Sequence, residues 1–485
     1  METSGIPDVE GTGGSGTSGR INGYVQRFND TFIHSQITSE QSSLQSADTY
    51  HRLATRIDDF IADPDTNLLV PMTSVFTAVQ NIVTDPTDSA PRIDMLDKAN
   101  VMAQRVGTLN DQLTTIQDQF NSELGSNVDE VNLIARNLAE VNSAIVSLNN
   151  NPNAEPPNEL LDKRDILLQN LSEKVNIKVV NGRDGAMNVF LGYGQSLVSG
   201  DSYNKLELQS SVYDKNDKKV MLVAEGQAGA YDLTSSLAGG DIGGLQKFKR
   251  EVLDPTTNRL GQMAAGFALA FNSQQRQGID MNGYTGQNVF TDYTNAANTV
   301  ENWRADTTHN TGTAQLEVSF DDSPDNDYKK LIPTEYNLKY TEGSYTITRL
   351  SDNKVFSTGD GSLSLDTGGN LKLDGLKIKV EGKGIMADGD SFRLRPFSRV
   401  ADEFKLTTTD PAKLAAASQP NHNWTAGSGN AGSAQLNISF ADSPGNNVKN
   451  MKPGDYQLKY EKGDFDEFGS YTITRTSDNA VFSTL

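Results

Sequence analysis

Few residues in this chain have the spacing of catalytic or metal-binding groups. The acidic residues Glu159, Asp162 and Asp165 share one helical segment, where carboxylates could act as general acids or hold a metal ion. Lys163 and Arg164 stand between them and no histidine is near, which favours a solvated or ion-paired helix face. The segment therefore does not predict an active site.

A second candidate is the run Asp280-Met281-Asn282-Gly283, which resembles the start of a calcium-binding loop. In such a loop the twelfth residue is a glutamate that binds the ion through both oxygens, and Thr291 stands at that position. A Gly- and Asn-rich turn after a helix is the better interpretation.

The other chemical residues are scattered. The four histidines form no H-x-x-x-H or H-E-x-x-H pair, and they are His34, His51, His309 and His422. The chain has no cysteine, so disulfides and cysteine metal sites are excluded. Gly11, Gly13 and Gly16 match G-x-G-x-x-G, but no apolar strand precedes them. The sequence thus predicts no catalytic, cofactor-binding or metal-binding residues, and we expect that the protein is not an enzyme.

Composition narrows the class of protein further. A length of 485 residues indicates several domains, and a formal net charge of -21 argues against binding to nucleic acid or to anionic membranes. No apolar run is long enough to span a membrane. The start METSGIPDVEG lacks the features of a secretory signal peptide, so export would need another route.

The elements that would position any site begin with helices. Residues 1–20 are rich in Gly, Ser and Thr and predict a flexible linker or a segment derived from an expression vector. Residues 21–175 predict a long-helix domain, with helices over 30–62, 71–83, 92–150 and 158–175. In the first of these, we expect one inward stripe: Phe32, Ile33, Ile37, Leu44, Leu53, Ile57, Phe60 and Ile61.

The third helix has the clearest period. Its apolar residues recur at steps of three or four: Leu109, Leu113, Ile116, Phe120, Leu124, Val128, Val131, Ile134, Leu138, Val141, Ile145 and Leu148. Such a rod would be roughly 60 Å long over this stretch and cannot bury its stripe alone. Partner helices are therefore required, and Gly125 marks a candidate bend.

The stretch 239–290 joins this helical part to the β-rich part of the chain. Apolar and small residues predict a helix over 245–278 that packs on the long helices. It is followed by a loop rich in Gly, Asn and Asp. Residues 176–300 are predicted to form a mixed β insertion that this helix closes, because the apolar period changes to two after Val175.

The last part of the chain contains an internal repeat. AQLEVSF at residue 314 recurs as AQLNISF at residue 434, and SYTITR recurs as well, with a Trp at the start of each copy (Trp303 and Trp424). Alternating strands predict a β-rich outer module over 301–400. Residues 401–485 are predicted to form a short helix, DPAKLAAAS, and a second β module that is truncated.

Four stretches together resemble the family of flagellar hook-associated protein 1. GYVQRFNDTF carries Arg27, Asp30 and Phe32 of an Arg-x-x-Asp-x-Phe pattern, and NELLDKRDILLQ resembles the family's L-L-D-x-R-D helix. IGGLQKFKREVLD resembles its G-G-L helix start. FNSQQRQGIDMNGYTGQNVF is similar to its F-N-x-x-H-x-x-G-x-D-x-x-G-x-x-G loop, with Arg276 or a neighbour in place of the His.

The resemblance implies an α+β multidomain fold, with a long α-helical bundle or rod domain followed by β-rich outer domains. It implies a structural protein of the bacterial flagellum that connects hook to filament and is secreted by the flagellar type III system. The implied partners are a homo-oligomeric ring, the hook protein, the second hook–filament junction protein, and an export chaperone that binds the C-terminus. The family's two terminal helical segments are not matched, so we expect a core fragment that is monomeric.

Two other classes of function are considered beside the structural one. The repeated β modules and their aromatic residues would also suit a surface adhesin or a glycan-binding protein. An enzyme is disfavoured because no acid, base or metal ligands converge in the sequence.

Overall fold

The structure is a computed structural model that describes residues 31–63, 67–150, 157–182, 185–214, 216–224, 229–299, 302–380, 384–418, 425–427, 454–461 and 470–484. The predicted linker 1–20, Arg27, Asp30, His422, Trp424 and the second AQLNISF copy lie outside these residues. Long helices come first in the chain and antiparallel β-sheets follow. The predicted α+β class, a helical rod followed by β-rich parts, is confirmed.

Four helices build the rod. They are α1 (Thr31–Ala62), α2 (Leu69–Thr84), α3 (Ala90–Asn149) and α4 (Asn158–Lys174). Each lies within a few residues of its predicted range. The helix α2 ends at Thr84, directly before Asp85-Pro86. It ends there because proline has no N–H to donate and disfavours helical geometry in the residue before it.

The helix α3 is the backbone of the rod. Its 60 residues correspond to about 90 Å. The predicted stripe is buried along almost all its length; Ile134 is half-buried and Leu148, one residue from the helix end, is exposed. Gly125 does not break the helix. A Cβ at Gly125 would lie 3.8 Å from Leu208 Cδ1, so the glycine lies where the β insertion contacts α3.

The prediction for the inward face of α1 is wrong at most positions. Leu53 and Ile57 are buried as expected and Phe60 is half-buried. The other predicted members of the stripe are exposed: Phe32, Ile33, Ile37, Leu44 and Ile61. Small polar residues face the start of a later helix, residues 239–244, instead: Ser42 and Thr49 are almost fully buried there. The contact face follows the small residues because they allow two backbones to approach closely, which Leu44 would prevent.

The β insertion forms two small antiparallel sheets. One contains β1 (Ile177–Asn181), β2 (Met187–Leu191), β3 (Gln195–Ser199) and β4 (Ser202–Tyr203), in that order. The other contains β5 (Lys205–Ser210), β6 (Lys218–Val223) and β7 (Ala230–Asp232). The period of two predicted after Val175 is seen in β2 and β6, where every second residue is buried: Val189 and Leu191, and Val220 and Leu222.

A continuous helical stretch, which we call the central helix, then closes the insertion and packs on the rod. It consists of α5 (Gly240–Phe248), a π-helical turn (Lys249–Leu253) and α6 (Asp254–Arg276). The sequence predicted one regular helix over 245–278. The π turn arises where the Asp254 N–H donates to the Lys249 carbonyl, five residues back, and the next residue is a proline without an N–H.

The first outer module has two antiparallel sheets. The sheet of five strands has the order β13 (Lys354–Ser357), β12 (Ser344–Arg349), β11 (Tyr336–Thr341), β16 (Ser391–Leu394) and β9 (Trp303–Ala305). The other sheet has the order β10 (Glu317–Phe320), β15 (Leu376–Lys379) and β14 (Asn370–Leu373). Between β13 and β14, the segment LSLDTG forms no strand and contributes only an isolated bridge from Leu365 to Leu371.

The predicted short helix DPAKLAAAS is largely wrong. Only a 3-10 turn forms, Pro411–Lys413, after which β17 (Ala417–Ser418) pairs with β8 (Gly278–Ile279). Asp410 caps the turn by accepting the Ala412 N–H at 2.9 Å. The chain is then extended because the 278–279 edge offers it backbone partners, and this tertiary pairing outweighs the helix propensity of the alanines.

The second copy of the repeat keeps the register of the first. Its described strands are β18 (Tyr456–Glu461), β19 (Ser470–Arg475) and β20 (Ala480–Thr484), in that order. Tyr460 pairs with Tyr471 as Tyr340 pairs with Tyr345, with ring centroids 4.9 Å and 5.0 Å apart. Among the described residues, no helix is both long enough and apolar enough to cross a membrane.

Candidate functional site

The residues that could do chemistry are placed apart. Arg164 is buried and its Nη1 donates to the Gly185 carbonyl at 2.8 Å, which ties α4 to the β insertion. Glu159 and Asp162 lie on the exposed side of α4. No group of three or more His, Asp or Glu residues in the described ranges is arranged to share a metal ion.

The histidines lie at the surface where they are described. His34 and His51 are exposed on α1. His309 is 76% exposed and its Nδ1 lies 2.9 Å from Asp306 Oδ2, within one loop of the outer module. This contact joins two residues of the same loop. Among the described residues, no further side chain completes a metal site with them.

Asp280 organises a turn. Its Oδ1 accepts the N–H groups of Asn282 and Tyr284, both at 2.8 Å. Gly283 has a φ of 86°, the left-handed region that glycine tolerates best. Thr291 donates through Oγ1 to the Glu403 carbonyl at 2.6 Å. The arrangement supports the Gly/Asn turn rather than a calcium loop.

The residues after α6 form a stem of two antiparallel legs, which we define as residues 278–291 and 403–418. The first leg leads to the outer module and the second returns from it. Beyond the β8–β17 pair, four backbone hydrogen bonds join the legs: Ala416 N to Ile279 O (3.2 Å), Met281 N to Ala412 O (3.0 Å), Thr407 N to Val289 O (2.8 Å) and Thr291 N to Lys405 O (3.0 Å). The stem therefore connects the module to the rod by two paired strands rather than by a single linker.

Asn272 fixes the stem to α6. It is 1% exposed, and its Oδ1 accepts the Val289 and Phe290 N–H groups at 2.9 and 3.0 Å. Its Nδ2 donates to the Phe290 carbonyl at 2.9 Å. The side-chain amide of Asn272 thus makes the hydrogen bonds that a neighbouring β-strand would make. It satisfies backbone groups that burial has removed from water.

Two glycines allow the first leg to lie against its neighbours. A Cβ at Gly286 would stand 2.1 Å from the Gln275 carbonyl oxygen, and one at Gly278 would stand 2.8 Å from Ala415 Cβ. Gln275 itself is buried and donates to the Lys413 carbonyl at 3.2 Å. Gln275, rather than Arg276, therefore holds the interior position at the end of α6.

Aromatic rings fill the space between α6 and the stem. Phe290 stacks on Phe404 of the second leg at 5.2 Å between centroids. Phe267 and Phe271 of α6 meet Phe290 edge-on, each at 5.3 Å. Phe76 of α2 meets Phe267 at 5.8 Å. Edge-to-face contacts at these distances are favourable beyond the area they bury, so the cluster fixes the helix, both legs and α2 together.

Arg92 fixes the second leg to the rod. It lies in the first turn of α3, is 2% exposed, and donates through Nη2 to the Pro86 carbonyl at 2.7 Å. Its Nη1 donates to the Pro411 and Leu414 carbonyls. Burial lowers the pKa of Arg92, and the charge of Asp280 opposes this only in part.

The start of α5 is held by a second buried polar cluster. Asp241 accepts hydrogen bonds from Thr49 Oγ1 at 2.7 Å, Gln45 Nε2 at 2.9 Å and Lys174 Nζ at 3.0 Å. Lys174 also pairs with Glu130 at 2.7 Å. Burial alone would raise the pKa of Asp241, but these hydrogen bonds and the charge of Lys174 outweigh it and lower that pKa. One carboxylate thereby joins α1, α4 and α5.

The G-G-L residues explain why α5 can lie so close to α1. A Cβ at Gly244 would stand 2.6 Å from the Ser46 carbonyl oxygen, and one at Gly243 would stand 2.9 Å from the Ala238 carbonyl carbon. Leu245 is fully buried beside them. The family resemblance singled out these residues, and the structure gives the physical reason for them.

Sequence reasoning missed Arg92 and Asp241 as structural centres. Arg92 left a signal, because it precedes Met95, Leu96 and Ala99 at helical spacing and so stands on the buried stripe of α3. Asp241 left none, because its partners Gln45, Thr49 and Lys174 are far away in sequence.

Comparisons with known proteins agree with this architecture. The family profile described as flagellar hook-associated protein FlgK helical domain matches residues 54–290. A second profile, flagellar hook-associated protein 1, D2-like domain, matches residues 305–396. The boundary between the two matches lies at the outer end of the stem's first leg.

Individual relatives extend the match. The flagellar hook-associated protein 1 of Escherichia coli K12 is 30% identical over 410 residues, which are 84% of this chain and 71% of that protein. Its counterpart from Salmonella typhimurium is 30% identical over 401 residues, 81% of this chain and 68% of that protein. That of Bacillus subtilis is 25% identical over 300 residues, 57% of this chain and 58% of that protein.

A solved structure shows the same fold. The flagellar hook junction protein FlgK from Burkholderia pseudomallei superposes with a TM-score of 0.70 at 28% identity, over 79% of this chain and 66% of that one. Sequence, domain order and fold thus point to one family. The chain belongs to the family of flagellar hook-associated protein 1.

Proposed function

We propose that this chain serves as a subunit that joins the hook of the bacterial flagellum to its filament. Membership of the family makes it a structural component of the extracellular flagellum, one that works with other flagellar proteins. The observation that carries the proposal is the colinear order of a helical-domain match and a D2-like match, which meet at the stem.

The mechanism we propose is geometric. In the full-length protein, copies would stand side by side in a ring, with α1 to α4 forming the inner rod and the β modules projecting outward. A paired stem suits this role because two hydrogen-bonded strands resist bending where one flexible linker would not. The ring would contact the hook protein on one side and the second junction protein on the other.

The proposal includes three expectations from the sequence. The chain divides into a linker (1–20), a long-helix domain (21–175 with 245–278), a β insertion (176–300) and two β modules (301–400 and 401–485). Export would use the flagellar type III system, with a chaperone bound to the family's C-terminal segment. The relatives are structural proteins, and we propose that this one likewise catalyses no reaction.

The packing weakens the glycan-binding alternative. Trp303 meets Phe392 edge-on at 5.9 Å, and Tyr340 and Tyr345 form a cross-strand pair with Tyr345 only 7% exposed. In the first module these aromatic residues therefore serve the sheet rather than an open binding surface.

The test of the proposed function is genetic. A strain that lacks the gene for this chain is expected to carry hooks without filaments and to release flagellin into the medium, and the intact gene should restore motility. Electron microscopy of the cells and immunoblots of the medium give the readout. Normal filaments in the deletion strain would rule the function out.

A further inference from the structure

Among the residues that the structure describes, seven charged side chains lie close together where the outer module approaches the rod. They come from three separate parts of the molecule: Lys249 and Asp254 from the central helix, Asp214 and Asp217 from the β5–β6 turn, and Glu335, Arg393 and Arg395 from the outer module. We call this group the charge bridge. The proposed role in the flagellum does not use it.

Glu335 is the centre of the charge bridge on the module side. Its two oxygens accept from two different arginines, Arg393 Nε at 2.7 Å and Arg395 Nε at 3.0 Å, and its side chain is 19% exposed. Burial raises the pKa of Glu335, but the charges of Arg393, Arg395 and Lys249 together outweigh it and lower that pKa. A carboxylate held by two guanidinium groups away from water is a strong and directional contact.

Lys249 is the centre on the rod side. It opens the π-helical turn, is 15% exposed, and its Nζ lies 2.7 Å from Asp254 and 3.4 Å from Asp217. Burial lowers the pKa of Lys249, but the charges of Asp254, Asp217 and Glu335 outweigh it and raise that pKa. The charge of Glu335 thus acts on Lys249 of the central helix as well as on the two arginines of the module.

The β5–β6 turn stands between the two bodies and contacts both. Asp214 pairs with Arg395 of the module, and Tyr213 Oη lies 3.2 Å from Ser391 Oγ. On the other side, the Asn216 carbonyl accepts from Asn121 of α3 at 2.9 Å. A neutral contact adds to these, because Gln262 of α6 donates to the Leu331 carbonyl at 2.7 Å.

We infer that the charge bridge locks the outer module in one orientation on the helical rod. The β5–β6 turn lies between them and contacts both. Exposed single ion pairs contribute little to stability. Here the partners are partly buried, shared between several groups, and distributed over three bodies. Neutralising one of these charged side chains leaves its partners without full charge compensation. The observed orientation of the module is then less stable relative to other orientations.

Pairs of spin labels test the lock. The chain has no cysteine, so Gln119→Cys on the exposed face of α3 and Ser351→Cys on an exposed turn of the module add two unique label sites. Pulsed electron paramagnetic resonance then gives the rod–module distance distribution. We expect one narrow distribution without further changes, and a distribution about twofold broader in Glu335→Gln and in Asp214→Asn.

Asp232→Asn is the matched control. It removes the exposed pair between Lys219 and Asp232, which lies within the same insertion and joins no separate bodies, so its distribution should stay narrow. Circular dichroism checks that each variant is folded, and if Glu335→Gln does not fold, Asp214→Asn in the turn decides. Unchanged widths in folded variants, or equal broadening in the control, would overturn the lock.

Discussion

At the residue scale, the molecule is held by side-chain amides that bond to distant backbone. Asn272 does this for the stem, and two asparagines of α3 do it for the β insertion. Asn132 accepts the Leu206 N–H at 2.7 Å and donates to its carbonyl at 2.8 Å. Asn142 accepts the Met187 N–H and donates to the Met187 and Gly200 carbonyls. Each amide satisfies backbone N–H or C=O groups that have no neighbouring strand to pair with, so losing the amide would leave those groups without a partner.

The first prediction concerns Asn272→Ala. The change leaves the Val289 and Phe290 N–H groups buried without acceptors, and we expect a loss of about 3 kcal/mol in the free energy of unfolding. Urea unfolding followed by circular dichroism measures it. Asn298→Ala is the control, because Asn298 is exposed and its side-chain amide donates to the nearby Asp292 carbonyl. Equal losses in the two variants would contradict the role of Asn272.

At the element scale, the central helix is shaped by where its glycines stand. A Cβ at Gly261 would lie 2.6 Å from the Phe397 carbonyl oxygen of the module, whereas a Cβ at Gly266 would meet nothing within 4 Å. Both residues belong to α6. The same residue type therefore serves close packing at one position and only costs backbone entropy at the other.

This difference gives opposite signs for two similar substitutions. Gly261→Ala should lower the free energy of unfolding by about 1–3 kcal/mol, because backbone must shift to accept the methyl group. Gly266→Ala should raise it by about 0.5–1 kcal/mol, because alanine favours the helix and finds open space. Each variant is the other's control in thermal unfolding. A stabilised Gly261→Ala would show that module and helix are not in contact.

Asp241 makes the helical elements sensitive to acid. Its folded pKa is lowered, so its contribution to stability is present above its unfolded pKa, about 3.9, and is lost as the pH falls through the folded value. Urea midpoints between pH 7 and pH 3 should therefore fall less steeply in Asp241→Asn than in the unsubstituted chain. At neutral pH the variant should be less stable, because Lys174 loses a charged partner. Parallel pH profiles would refute this account.

At the scale of the whole molecule, the stem lets the first β module be a self-contained insertion. The module begins and ends at one place, since the Arg395 N–H donates to the Asn302 carbonyl at 2.6 Å. The second leg ends at β17, beside β8, before the second copy of the repeat begins. The chain therefore returns to the rod between the two copies, and their similarity in sequence does not place them end to end.

Excision of the first module tests this view. Residues 303–394 replaced by a short Gly-Ser link should leave a rod that unfolds cooperatively, with a slightly lower urea midpoint because Tyr293 and Phe397 lose their contacts with Phe320. A larger excision of 288–407 should lower the midpoint strongly, because it also removes Phe290 and Phe404 from the aromatic cluster. Helical circular dichroism follows both. Loss of cooperative unfolding in the smaller excision would show that the rod depends on the module.

The sequence by itself determined the features that depend on near neighbours. The stripe of α3 repeats every three or four residues, and each step lies within one helical turn, so its burial could be read from spacing. The strands of the β insertion and of both repeats followed from alternation for the same reason. The family followed from short motifs such as G-G-L, whose glycines are needed wherever two backbones nearly touch.

Only the tertiary structure decided what depends on distant partners. The buried face of α1 was set by the glycines of α5 about 200 residues away. The segment 410–418 became mostly extended because β8 offered it an edge, against its local helix propensity. Asn272, Arg92 and the charge bridge bond to groups that local spacing does not connect. Hydrogen bonds and ion pairs across such separations leave no period in the sequence, because their geometry exists only once the chain has folded.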